Sequence, residues 1–293
     1  MAGEFNLFSL GNFNVTGGSF QGAVAAAGDV NAASFSINSG KAAYGGDAVV
    51  AGGNLTLKGG SISNGNAYVG GKTTVESFGF GGKFVGGDSP VDFAEQAAQL
   101  RQLSIALSGL APTGNAAIQW GGMTFTGSGS GVDVFNLAGK EVSSVNWGSA
   151  SGLHKGDTVI LNIGGNVASL QGGLPDIFKN YNVLYNFYEA TSLSFNGVGV
   201  YGSVLAPLAS VKGGSGNIDG NVIVADWNSN VSLMNKRSFD TTEVAQYAGR
   251  PPQPAVDDEP SAVPEPSGIV LFMLALSMLA FTSLRMRRRQ QAG

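Results

Sequence analysis

Glycoside hydrolysis needs two carboxylates held at a set separation, and Asp219, Asp226 and Asp240 are the acids in the late, repetitive part of this chain that could supply them. A lyase would also want a basic group beside its acids, and Lys212 and Lys236 are the nearby candidates. A Ser-His-Asp triad would have to use His154, the one histidine, which lies in the Gly-rich turn Ser151–Gly156. The stretch Gly127-Ser-Gly-Ser-Gly131 matches the letters of a nucleophile elbow, but no helix pattern follows it, so it reads as a flexible turn. Asp29 and Asp47, with neighbouring Asn and Gly carbonyls, are hard-oxygen ligands of the kind Ca²⁺ takes, yet no Gly-Gly-x-Gly-x-Asp array surrounds them. Acids at turns commonly bind their own backbone. The expectation is therefore a chain that is not an enzyme, with no catalytic residue, metal or cofactor. Trp120, Trp147 and Trp227, and the tyrosines, could stack on sugar rings or pack in the core.

The elements that would position these residues are mainly strands. Charged residues are only 12% of the chain, while 46 glycines and 43% hydrophobic residues favour many tight turns around a packed interior. A formal charge of -4 supplies no basic stripe, which argues against nucleic acid as a partner. The absence of cysteine excludes a disulfide framework and any thiolate metal site. Gly22–Val30, Asp47–Leu55 and Asn66–Lys72 repeat one phrase, an apolar strand closed by glycine, and Gly202–Val211 and Gly220–Trp227 return to it. Repeats this short cannot bury their own apolar side, whereas turns of chain stacked along an axis bury a continuous column. Pro207 then belongs at a strand end or corner, because it cannot donate to a ladder.

A middle block interrupts the repeats. Ser89-Pro90-Val91-Asp92 opens one helix, about 89–108, with Ser89 as cap; Phe93, Ala97, Leu100, Ser104 and Leu107 share a face, and Gly109 stops it. That helix should lie along a flank of the stack. Strands are expected at Met123–Thr126, Val132–Phe135 and Thr158–Ile163, the last apolar enough to be buried on both faces, and a further strand over Asn180–Phe187. The fold class that follows is mainly β: an interrupted β-solenoid with one α-helix packed along its flank, plus a C-terminal transmembrane helix.

After residue 247 the composition changes. Residues 248–262 are a Pro-rich acidic linker, and 263–293 combine Val263-Pro264-Glu265-Pro266, an uninterrupted apolar run over 268–284, and Arg285, Arg287, Arg288 and Arg289. The run is long enough to span a bilayer, and arginines on its C-terminal side would stay in the cytoplasm, placing the large domain outside. This tripartite end resembles the PEP-CTERM sorting signal of Gram-negative bacteria. The resemblance implies that an exosortase recognises and cuts at Pro264-Glu265-Pro266, so that the protein is anchored in the inner membrane before cleavage and then reaches the cell surface or extracellular matrix. Export would also require a signal peptide, which Met1-Ala-Gly-Glu4 does not supply; the expectation is a trimmed or miscalled start.

The body, residues 1–247, resembles the choice-of-anchor A family. The matching residues are Phe5–Phe13 with Gly22–Val30, then Val183–Phe187, Val200–Pro207 and Gly220–Ala225. The late segment is also similar to the solenoid of bacterial ice-binding adhesins, which implies that the interrupted β-solenoid is right-handed and that an ice-binding face would carry Thr-x-Thr ladders, a pairing that only Met123-Thr-Phe-Thr126 offers. The resemblance implies a surface location and carries no catalytic residue. The function expected is structural or adhesive, with exopolysaccharide or other biofilm matrix components as partners; the alternatives are a carbohydrate-active enzyme on the same fold and an ice-binding adhesin.

Overall fold

Short runs of small and β-branched residues between glycines, such as Val24–Ala26 and Asp47–Ala51, become strands that are buried on both faces, because one face lines the inside of the stack and the other is covered by a second apolar layer. The computed structural model describes residues 2–40, 44–239 and 241–248, all within one compact unit, Met1–Pro252. The described chain is mainly β, with one long helix and a curled sheet of nineteen strands whose ladders are all parallel. Leu7 pairs with Val24, Val24 with Val49, Ala51 with Val69, and Ala67 with Phe84. In the second half Val132 pairs with Thr158, Thr158 with Asn182, Leu184 with Ser203, and Val204 with Val222.

The two series join where the chain order does not. Val222 pairs with Leu7 and Trp227 with Phe13, so the first turn of chain sits between the last one and the second. The middle block is thus not an insert between two repeat sets. Its strands Val132–Ala138, Thr158–Gly164 and Asn182–Asn186 form the far end of the same stack. Buried amides close this junction: Asn6 Nδ2 donates to Gly220 O at 2.9 Å, its Oδ1 accepts from Gly22 N at 3.0 Å, and Asn221 Nδ2 donates to Gly3 O at 2.8 Å. Pro207 falls where the register against Val222–Asn228 shifts, between Ala206 and Ser210, as expected for a residue without an N–H.

Crossing from one end to the other requires a connector, and helix α1, Phe93–Ser108, provides it. Its cap is Asp92, whose carboxylate accepts from Glu95 N at 2.9 Å. Ser89, expected as the cap, instead closes a local turn by donating to Val91 O and accepting from Val91 N. Both residues suit a cap; Pro90 holds the chain extended after Ser89, and helical geometry begins three residues later. The phenyl ring of Phe93 lies 5.5 Å from Phe8, while Leu107 O accepts from Asn162 at the other end, so α1 lies along the flank as expected.

Two cores result. Inside the stack Leu7, Val24, Val49, Val204, Val222 and Trp227 join one continuous cluster. Phe8, Ala25, Val50, Ile223, Leu205, Leu184 and Ile160 point the other way, toward α1, and pack with Leu100, Leu107 and, from helix α2, Thr241–Ala248, Val244. Burying a leucine contributes about 1.5–3 kcal/mol, which is what fastens the helix to the sheet. A buried amide ladder fixes its register. Asn186 Nδ2 donates to Asn162 Oδ1 at 2.9 Å and to Ser104 O at 2.9 Å, and Ser104 Oγ donates back to Asn186 Oδ1 at 2.6 Å. No helix among the described residues is long and apolar enough to cross a membrane, and the apolar run 268–284 lies outside them.

Candidate adhesive surface

The three tryptophans have different fates. Trp227 is fully buried, edge-on to Phe20, with its indole N–H donating to Ser229 O at 2.8 Å. Trp120 is 91% exposed, the most exposed of the large hydrophobic residues, and Trp147 is 41% exposed. Both exposed rings flank strands of a separate three-stranded sheet made of Asn115–Gln119, Gly122–Thr126 and Gly148–Ser151, Trp120 in the turn between the first two and Trp147 just before the third.

Asn115–Gln119 and Gly122–Thr126 form a hairpin in which Gln119 faces Gly122. Only Trp120 and Gly121 remain for the turn, and their φ values of 47° and 78° are those of a type I′ turn, whose first position normally takes Asn, Asp or Gly. A tryptophan there carries backbone strain of about 1–3 kcal/mol, and strain of that kind concentrates at ligand sites. The turn holds the indole out in solvent, where it gains no burial that would offset the strain. Trp147 lies across the hairpin backbone, so close that a β-carbon on Gly122 would meet its ring at 2.1 Å. The glycine is what lets the second ring settle beside the turn.

The long polar face of the stack is built by a backbone-capping ladder. Asp226 Oδ1 accepts from Asn12 N at 2.8 Å, Asn12 Oδ1 from Asp29 N at 2.9 Å, Asp29 Oδ1 from Asn54 N at 2.7 Å, and Asn54 Oδ1 from Lys72 N at 2.9 Å. The next outward row carries Asn228, Asn14, Asn31, Thr56 and Thr74 in register. Threonine occupies only two adjacent rungs of that row. Thr124 and Thr126 lie in the small sheet instead, where Thr124 Oγ1 donates to Ala117 O.

The other chemical candidates are dispersed or structurally engaged. Asp226 and Asp29 are ladder acceptors, and Asp219 is buried at a different corner with Asn217 Nδ2 at 3.4 Å. Asp240 lies outside the described residues. His154 is exposed, with Nδ1 3.6 Å from Asp157 Oδ2, and the Ser128 and Ser130 hydroxyls bond each other at 2.7 Å. The strand Val132–Ala138 follows those serines where an elbow would need a helix. Partial burial raises the pKa of Asp47, and no group of three His, Asp or Glu among the described residues could hold a metal. Val263, Pro264, Glu265, Pro266 and Arg285, Arg287, Arg288 and Arg289 lie outside the described residues.

The capping ladder is visible in the sequence as Gly11-Asn12, Gly28-Asp29 and Gly53-Asn54, each just before an apolar residue, but Asp29 and Asp226 taken singly as turn acids conceal it. A family model described as Putative Ice-binding-like adhesive domain matches residues 1–235. No curated protein and no solved structure matches the chain.

Proposed function

Since the chain belongs to the family described as Putative Ice-binding-like adhesive domain, we propose that it is an exported, exosortase-processed protein of the bacterial surface that adheres to exopolysaccharide or related matrix material. The observation that carries the adhesive part is Trp120, held 91% exposed on a strained turn with Trp147 beside it. An indole face stacks on the apolar C–H face of a sugar ring and loses little entropy, because the turn has already positioned it. The sorting part rests on the resemblance of Val263–Pro266, the run 268–284 and Arg285–Arg289 to a PEP-CTERM signal, and the body's resemblance to choice-of-anchor A domains agrees with it. For the fold, the finer reading is a right-handed β-solenoid whose repeats are interrupted in the sequence but continuous in the stack, supported by the in-register parallel stacking.

Binding of the full chain to the host's own exopolysaccharide tests the adhesive reading. Trp120→Ala should weaken binding about tenfold, the equivalent of about 1.4 kcal/mol, with an unchanged denaturation midpoint. Binding indifferent to Trp120 would refute this site. New reducing or unsaturated ends on the polysaccharide would favour a carbohydrate-active enzyme instead.

A further inference from the structure

The two ends of the stack are built differently. At one end the strand Val167–Gln171 is covered: Ser169 N donates to Ser143 Oγ at 2.8 Å, and Gln171 Nε2 donates to Ser143 O at 2.9 Å. The strand Gly148–Ser151 is covered there by the Trp120 hairpin. At the opposite end Phe84–Val85 covers one face only, by pairing with Ala67–Tyr68. The strand Thr73–Phe80 pairs with Leu55–Ile62 on one side, and among the described residues nothing pairs with its other edge. Val75 is 41% exposed where the Leu57 column runs out, and Phe84 is 45% exposed where the Val49, Ala67 column does. An uncovered edge of this length is a template for another strand, and stacked repeats ordinarily need a cap at each end.

We propose that this edge is covered by the same edge of a second copy, through antiparallel pairing of Lys72–Glu76 with itself about a two-fold axis at Thr74. Backbone and charge select this register independently. Leu55 N donates to Lys72 O at 2.8 Å, so Lys72, Thr74 and Glu76 turn their main-chain groups toward the stack, and Thr73 and Val75 turn theirs outward. In an antiparallel pair, residues that exchange both hydrogen bonds lie directly opposite, and Thr73 facing Val75 of the second copy meets that condition on both sides of the axis. The same register sets Lys72 opposite Glu76 of the other copy at both ends, in the closer, non-hydrogen-bonded positions where opposite charges attract. Lys72 and Glu76 are exposed and share the outward face with Thr74; Glu76 already holds Lys58 at 3.2 Å, which orients its carboxylate on that face. The interface is isologous, so it closes at two copies.

The chain has no cysteine, which makes the test direct. Thr74→Cys in the full chain places two thiols on the axis, within the Cα separation of about 4.4–6.8 Å that a disulfide accepts. Thr56→Cys, one turn of chain inside, lies in register with Thr74 but away from the axis. Mild oxidation should convert most of the Thr74→Cys chain to twice its mass and leave the Thr56→Cys chain single. Adding Glu76→Lys should slow the cross-link at least about tenfold by putting lysines opposite each other, and Lys72→Glu with Glu76→Lys should restore it. The proposal is overturned if Thr74→Cys cross-links no faster than Thr56→Cys, as it would if residues after Ala248 or another protein covered the edge. It is equally overturned if the charge reversals leave the rate unchanged.

Discussion

Trp227→Ala is expected to cost about 3–5 kcal/mol of folding stability, the range for truncating a large buried aromatic side chain. The indole is enclosed on every side, edge-on to Phe20 at 5.8 Å, and its N–H bond to Ser229 O disappears with it. Its position adds to the effect. Trp227 pairs with Phe13 across the junction between the last and first turns of chain, which no short loop joins. A cavity there loosens the contact that holds the two halves of the stack together. Guanidinium unfolding followed by circular dichroism would show the midpoint falling for Trp227→Ala and unchanged for Trp120→Ala. Equal effects at the two sites would mean that the division into core and exposed tryptophan is wrong.

Asn186→Leu is expected to cost about 3 kcal/mol or more, although it replaces a polar residue with an apolar one in a buried place. Its amide bonds Asn162 Oδ1 and Ser104 O and accepts from Ser104 Oγ. Leucine leaves Asn162 Oδ1 buried without its donor and Ser104 Oγ without its acceptor, each at a cost of about 1–3 kcal/mol, while Ser104 O keeps its bond within the helix. The loss should concentrate in α1, since Ser104 lies in its fourth turn. Amide hydrogen exchange would report it as faster exchange over 93–108, with the strands near Val24–Ala26 least affected. Uniform acceleration across the stack would contradict a local docking role.

Much of the fold was legible because its forces are local. The glycine-closed phrase in Gly22–Val30 and Asp47–Leu55 marks stacked strands, and the Leu100, Ser104, Leu107 spacing marks the buried side of α1. The run Thr158–Ile163 is buried on both faces, as its unbroken apolar character required. The order of the stack was not legible. Pairing of Val222 with Leu7 depends on where α1 delivers the chain, and no local pattern encodes that. Asn186 and Asn162 also escaped, because an amide in a strand reads as surface until the helix that satisfies it is in place. The Trp120 turn escaped for the opposite reason: Trp-Gly breaks the Asn-Gly rule, and a residue that breaks a local rule without gaining burial is where function tends to sit.

Location and mass of the native protein test the central claim, that the adhesive body is delivered to the cell surface. With the host's exosortase present, the protein should be found outside the inner membrane, shortened by the residues that follow the Pro264-Glu265-Pro266 motif, and Glu265→Ala should leave it full-length in that membrane. A full-length protein soluble in the cytoplasm, or one whose mass and location ignore Glu265, would contradict it.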